Sequence, residues 1–416
     1  MPLYLQPNEL EAGMRLAKPV ICDRRVLLPA GRVLNPVEID NLRKRYPRAN
    51  VYILDPVLDE WIPFQDDTQD STVALAAREK LVDALSGVRE KFASRMSLRG
   101  MSLRGVHEAL TYITQYLQQH PAAAAMVIPP GKEGSYLIEH PANVFYLSLV
   151  VGNAVRGLAQ HDLARRSSLR SYSRARFPVN LTPLGLAALF MDVALWPLEE
   201  VFEHPGPLSA EERQTVAGHP AASAAALPPD TPEAVGEIIL RHHENMDGTG
   251  YPYGLTGEAI PLFARILRIT DAFDAATSRR VFREAKSAPR ALWEMTIGPY
   301  AQFYDPVVLK IFGSVVQPFP IGAKVRLACG RYGVVVRFGE RYSLLPEIII
   351  AFDEDGRRLP RNKLEGPYKL DRRTDLRIAA YEGEDISDLY NSGTWYSNIE
   401  MPYPASFETL FESLYP

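Results

Sequence analysis

Hydrophobic and polar positions follow two periods along this chain, and the switches between them divide it. Near the start, Val20-Ile21-Cys22 and Arg25-Val26-Leu27-Leu28 are strand-like runs on either side of the turn-like Asp23-Arg24. Pro36 to Arg45 takes the helical period, with Pro in the first turn and Ile39 and Leu42 on one face. Val51-Tyr52-Ile53-Leu54 reads as a strand again. A Pro- and Asp-bearing linker covers Asp55 to Asp70. A helix is then expected from Ser71 or Thr72, with Leu81, Leu85, Val88 and Phe92 on one side. Residues 96–100 and 101–105 repeat the same five residues in tandem, too few for a solenoid and suited to a joint. An amphipathic helix resumes from Val106 to Gln119.

Longer apolar helices follow. Tyr136-Leu137-Ile138-Glu139-His140 opens one that runs through Val155, and Leu184 to Leu195 forms a second apolar segment. Ser209 with Glu212 has the capping-box spacing for a helix start. Val235 to Leu240 is a helix-like run that ends in His242-His243. From Pro320 the strand pattern returns in Lys324–Leu327, Gly333–Arg337 and Glu347–Phe352, with Asp355-Gly356 as a turn. The pattern predicts a mainly α chain: a small α/β unit at 1–55, a linker and helical connector at 56–125, a helical core at 126–318, a small β unit at 319–380 and a tail at 381–416.

Composition narrows the options. Hydrophobic content of 46% and charged content of 23% belong to a globular chain. A net charge of −4 carries no nucleic-acid footprint. Cys22 and Cys329 lie far apart, away from any histidine cluster, so a reducing cytoplasm is expected and disulfide chemistry is not. The longest apolar stretches are too short for a membrane span or contain Asp192. The tail is acidic and rich in rings, among them Tyr390, Trp395, Tyr396, Tyr403, Phe407, Phe411 and Tyr415, and is expected to pack on the protein or on a partner. Between Gly157 and Asn180 a basic segment holds Arg165, Arg166, Arg170, Arg174 and Arg176 and reads as a loop, either solvated or binding an anion.

The chemistry gathers at His242-His243-Glu244-Asn245-Met246-Asp247-Gly248-Thr249-Gly250-Tyr251-Pro252-Tyr253-Gly254-Leu255. Adjacent imidazoles at a helix end, followed by a tight Gly- and Pro-built turn, are suited to a divalent metal. A buried histidine pair satisfied by hydrogen bonds has the same pattern, and the two residues alone leave both readings open.

This stretch, continued by Ile260 to Arg280, resembles the signature of the HD-GYP family, bacterial phosphodiesterases of cyclic di-GMP. Glu11 to Leu16 resembles a small domain often placed before such modules. The resemblance implies an HD-GYP-type helical bundle and a pair of metals bridged by Asp192. One metal would use His140, Asp192 and Asp271 with the position held here by Met191, and the other Asp192, His219, His242 and His243. It places Arg280, Arg283 and Tyr251 on the substrate, and the Gly250-Tyr251-Pro252 loop against cyclic di-GMP synthase domains (GGDEF). Where relatives read His-Asp-Ile-Gly-Lys, this chain reads Met191-Asp192-Val193-Ala194-Leu195. Some relatives carry a glutamate for a third metal where Tyr136 stands, so a third metal is not expected. His161-Asp162 looks like the pair but lacks its flanking residues. The resemblance implies Fe, Mn or Zn as cofactor, with one site favoured over two because a thioether is a soft, weak donor. Two functions follow: a degenerate member that hydrolyses weakly or not at all and acts as a nucleotide-responsive or docking module, and an active phosphodiesterase giving the linear dinucleotide or GMP. The helical connector is a candidate homodimer seam.

Overall fold

The computed structural model describes residues 3–22, 25–47, 49, 51–55, 58, 81–90, 92, 97–99, 108, 110–115, 136–167, 180–199, 209–278, 285–339, 344–370, 373 and 375–390. They fall into two compact units: those within 1–68, 287–290 and 317–400, and those within 69–286, 291–316 and 401–416.

The first unit joins the two ends of the chain. Strands β1 (Leu3–Leu5), β2 (Arg15–Leu16) and β5 (Val51–Leu54) form an antiparallel sheet in the order β1-β5-β2, and β3 (Val20–Cys22) pairs with β4 (Arg25–Leu28) as a hairpin. Helix α1 (Pro36–Arg45) covers this part and buries Ile39 and Leu42. Its start is written locally: Asn35 accepts from the N–H groups of Val37 and Glu38, while the Glu38 carboxylate accepts from the Asn35 N–H. Asn35→Ala is expected to cost about 1 kcal/mol, read as a lower urea midpoint at unchanged slope.

The C-terminal strands make a six-stranded antiparallel sheet, ordered β11-β10-β6-β7-β8-β9, from β6 (Lys324–Leu327), β7 (Tyr332–Arg337), β8 (Glu347–Phe352), β9 (Glu365–Lys369), β10 (Ile378–Tyr381) and β11 (Glu384–Asp385). Strand β8 is buried along its whole length. Leu5, Leu16, Ile39 and Val51 from the N-terminal part share one apolar core with Val334, Val336, Ile349 and Ala351. The Tyr4 N–H donates to the Gly322 carbonyl at 2.8 Å, and Arg358 pairs with Asp55 at 2.8 Å. Of the residues that the sequence pattern assigns to the tail, Tyr381 lies in β10, Glu384 and Asp385 in β11 and Ser387 to Tyr390 in a short 3-10 turn. Residues 391–416 of the tail lie outside the described residues.

The second unit is helical. It contains α2 (Tyr136–Ser167), α3 (Thr182–Phe190), α4 (Ala210–Ala217), α5 (His219–Ala226), α6 (Glu233–Arg241), α7 (Leu262–Thr277) and α8 (Pro306–Val315). Helix α2 packs against α3, α7 and α8, and α6 packs against α3 and α5. Gly185 lets α2 and α3 approach closely, since a Cβ there would sit 3.0 Å from the Phe145 ring. Helix α2 does not stop at Val155 but runs on to Ser167 and carries His161-Asp162 within it. Ala, Leu, Gln and Arg dominate that extension and are good helix formers, so its charge does not make it a loop. No helix among the described residues is long and apolar enough to cross a membrane.

Candidate metal centre

Five pieces of backbone deliver the polar groups of one buried cluster. Helix α2 carries His140, the turn after α3 carries Asp192, the first residue of α5 is His219, and α6 ends at His242-His243. Helix α7 supplies Asp271. The turn at Asp192 is anchored on both sides. The Leu195 N–H donates to the Asp192 carbonyl, the Ala194 N–H to Ser223 Oγ, and Trp196 Nε1 to the Leu137 carbonyl at 3.0 Å.

Two imidazoles are oriented by their own helices. His219 Nδ1 donates to the Val216 carbonyl at 2.5 Å and His242 Nδ1 to the Ile239 carbonyl at 2.6 Å. Both Nε2 atoms therefore turn inward and stand 3.2 Å apart, with Asp192 Oδ1 3.2 Å from His219 Nε2. His243 completes the set: one ligand atom from each of His219, His242 and His243 lies within 4.8 Å of the others. Three imidazoles and a carboxylate at this spacing suit a borderline divalent ion such as zinc, iron or manganese.

The electrostatics agree with that geometry. Burial lowers His219, but the hydrogen bond to Asp192 and its charge, with the Val216 carbonyl and Asp271, together outweigh this and raise it. Burial and the neighbouring His219 push His242 down to about 4, and burial with the neighbouring His242 holds His243 well below its usual value. The three imidazoles thus bring converging nitrogens that a metal ion would satisfy together.

The other half of the cluster is built differently. His140 Nε2 donates to Asp271 Oδ1 at 3.0 Å and its Nδ1 to Asp274 Oδ2 at 2.7 Å. Burial alone would lower it, yet these two carboxylates lift His140 to about 10. Burial would raise Asp271, but the hydrogen bond from His140 and the nearby histidines lower it far below the carboxylate range. Asp192 Oδ2 is 3.6 Å from His140 Nε2, so Asp192 faces both halves. Tyr136 stacks on the His140 ring at 4.8 Å. Met191 is fully buried and Leu195 is 5% exposed, and neither brings a nitrogen or oxygen ligand to this side.

The loop after His243 is held by a residue whose role sequence reading missed. Glu244 is buried, and its carboxylate accepts from the Tyr253 N–H at 2.7 Å and the Leu255 N–H at 2.9 Å. Gly250 is required there, because a Cβ would collide with the backbone of His243, Glu244 and Asn245. This folding brings the Tyr251 ring onto His243 at 4.8 Å. Glu244→Ala is expected to lower stability by about 1–3 kcal/mol, measured by urea unfolding, and to speed proteolytic cleavage within 250–255.

The structure thus gathers His140, Asp192, His219, His242, His243 and Asp271 into one cluster, with Tyr251 against it. Arg280 and Arg283 lie outside the described residues. Asp274 and Asn143 were also missed, although both were legible as polar residues three positions after Asp271 and His140 on the same helix face. Asn143 Nδ2 donates to Asp274 Oδ1 at 2.9 Å and steadies the carboxylate that orients His140.

Comparison with known proteins fits this geometry. The HD domain family model matches residues 170–308. A cyclic di-GMP phosphodiesterase of Pseudomonas aeruginosa is 36% identical over 171 residues, 40% of this chain and 41% of that protein. One from Vibrio cholerae is 34% identical over 153 residues, 33% of this chain and 31% of the relative. The cyclic di-GMP phosphodiesterase response regulator of Xanthomonas campestris is 43% identical over 114 residues, 26% of this chain and 29% of the relative. The chain therefore spans about two fifths or less of the length of these relatives. Among solved structures, an HDG"Y"P protein from Bdellovibrio bacteriovorus covers 74% of this chain and 97% of its own at 14% identity, with a TM-score of 0.40. The chain thus carries a match to the HD domain at 170–308 and is related over part of its length to cyclic di-GMP phosphodiesterases.

Proposed function

We propose that this protein binds cyclic di-GMP through a degenerate HD-GYP-type site that holds one divalent metal firmly and hydrolyses the nucleotide weakly or not at all. His219, His242, His243 and Asp192 would hold the ion. When bound, it would supply Lewis-acid polarisation of a phosphodiester. The observation that carries this reading is the asymmetry of the cluster. One half has three imidazoles converging beside Asp192. The other has a single imidazole, with both nitrogens occupied by Asp271 and Asp274. Buried Met191 and Leu195 stand where the resemblance places a histidine and a lysine. A bridged pair of metals stabilises both the attacking and the leaving oxygen, and one ion leaves half of that charge unsupported.

The chain's own residues keep the binding side of the chemistry. Buried Asp192 and Asp271 would face the ion, and Tyr251 stacked on His243 covers one flank. The Gly250-Tyr251-Pro252 loop, followed by the Tyr253 and Leu255 N–H groups that Glu244 holds, would serve as a docking point for a cyclic di-GMP synthase domain, which would make the protein a nucleotide-responsive module. The alternative, an active phosphodiesterase, draws support from the six retained side chains in one cluster. Incubating the purified chain with cyclic di-GMP and manganese or ferrous iron, and following linear dinucleotide and GMP by chromatography, separates the two. Tight binding with little product fits the degenerate site, and sustained turnover defeats it.

A further inference from the structure

Arg268 sits on α7 three residues before Asp271, on the same face of the helix. It is partly buried. Its Nε donates to Asn245 Oδ1 at 3.0 Å, and its guanidinium lies over the Tyr304 ring, 5.2 Å from the centroid. Asn245 belongs to the loop that begins at His242-His243, and its own amide donates to Thr249 Oγ1 at 3.0 Å. These contacts fix the guanidinium plane but use one of its five N–H groups. Among the described residues no carboxylate or carbonyl takes the terminal nitrogens. Arg265, one turn earlier, is spent by contrast on the Ile260 carbonyl and on Asp305 at 3.0 Å.

Helical spacing puts Arg268 one turn before Asp271, and Asn245 ties it to the loop that follows His242-His243. A cation held this way beside a metal site, with its donor fork open, is arranged for a planar, bidentate anion.

We infer that Arg268 is a phosphate-binding residue of this cleft, donating its terminal N–H groups to a phosphodiester oxygen of a bound cyclic dinucleotide. It supplies a fixed positive charge in a site that carries Leu195 where the resemblance places a lysine. The inference rests on the proposed function for the identity of the ligand, and on the geometry of Arg268 for its phosphate.

The test uses full-length protein loaded with manganese: wild type, Arg268→Gln and Arg268→Lys, with bound metal counted on each sample. Titration calorimetry with cyclic di-GMP is expected to show at least about tenfold weaker binding for Arg268→Gln, unchanged metal content, and partial recovery in Arg268→Lys. Equal affinity of wild type and Arg268→Gln overturns the role of Arg268 and leaves the proposed function standing. If wild type does not bind cyclic di-GMP, the proposed function falls, and inorganic phosphate decides on Arg268. A phosphate-induced rise in melting temperature that is lost in Arg268→Gln supports it, and no rise or an equal rise overturns it. Should Arg268→Gln fail to fold, Arg268→Lys and Asn245→Ala carry the comparison: weaker binding in both supports the role, and wild-type affinity in both overturns it.

Discussion

His242→Ala is expected to leave the protein folded and nearly free of metal. His242 is fully buried at the end of α6, with its Nδ1 committed to the Ile239 carbonyl and its Nε2 facing His219. Truncation leaves a small cavity and an unpaired carbonyl, a loss of about 1–3 kcal/mol that a domain of this size survives. The metal loses far more. Removing groups that merely orient ligands costs about 10- to 100-fold in affinity, and His242 is itself a proposed ligand, so a loss beyond about 100-fold is expected. Manganese titration followed by desalting and elemental analysis reads this directly, with circular dichroism as the check on folding. Wild-type metal retention in His242→Ala would mean that the ion sits elsewhere.

The double change Met191→His with Leu195→Lys is expected to raise cyclic di-GMP hydrolysis by about 10- to 100-fold and to increase bound metal. Met191 immediately precedes Asp192, and Asp192 already faces both His140 and His219. An imidazole there would give the poorer half of the cluster a second nitrogen. Leu195 is apolar and almost wholly buried on the 3-10 turn that Trp196 pins to the start of α2. A lysine from that turn would bring an ammonium towards Asp192 and a bound phosphate. The packing will resist: fitting two polar side chains into this wall is expected to cost about 1–3 kcal/mol, visible as a lower melting temperature. Product formation followed by chromatography, with metal counted on the same sample, is the measurement. No gain in rate would place the defect in the shape of the cleft rather than in these two side chains.

Much of this architecture was legible residue by residue because it is written in short-range signals. The Asn35-Pro36 start of α1 and the Ser209–Glu212 capping box depend on groups two or three residues apart, and both helices begin where that spacing places them. Strands β6 and β8 have the bounds their apolar runs imply, and β7 starts one residue earlier. The HD signature placed its histidines and aspartates on separate elements that the fold then converges. What stayed hidden depends on tertiary placement. The union of the two ends of the chain rests on contacts such as Tyr4 with Gly322 and Asp55 with Arg358, which no local pattern encodes. The extension of α2 to Ser167 was obscured by its arginines, which suggest a solvated loop although they are good helix formers. Asp274, Glu244 and Arg268 were unread for a common reason: each looks like an ordinary helix or turn residue until its partner, His140, the Tyr253 and Leu255 amides, or Asn245, is known.

The most direct test of the asymmetric centre is the number of ions it retains. The purified full-length chain, saturated with manganese or ferrous iron under anaerobic conditions and desalted, would be analysed for metal per protein by mass spectrometry. One ion per chain, lost in His242→Ala and kept in Met191→Ala, is the predicted result. Two tightly held ions per wild-type chain would contradict it.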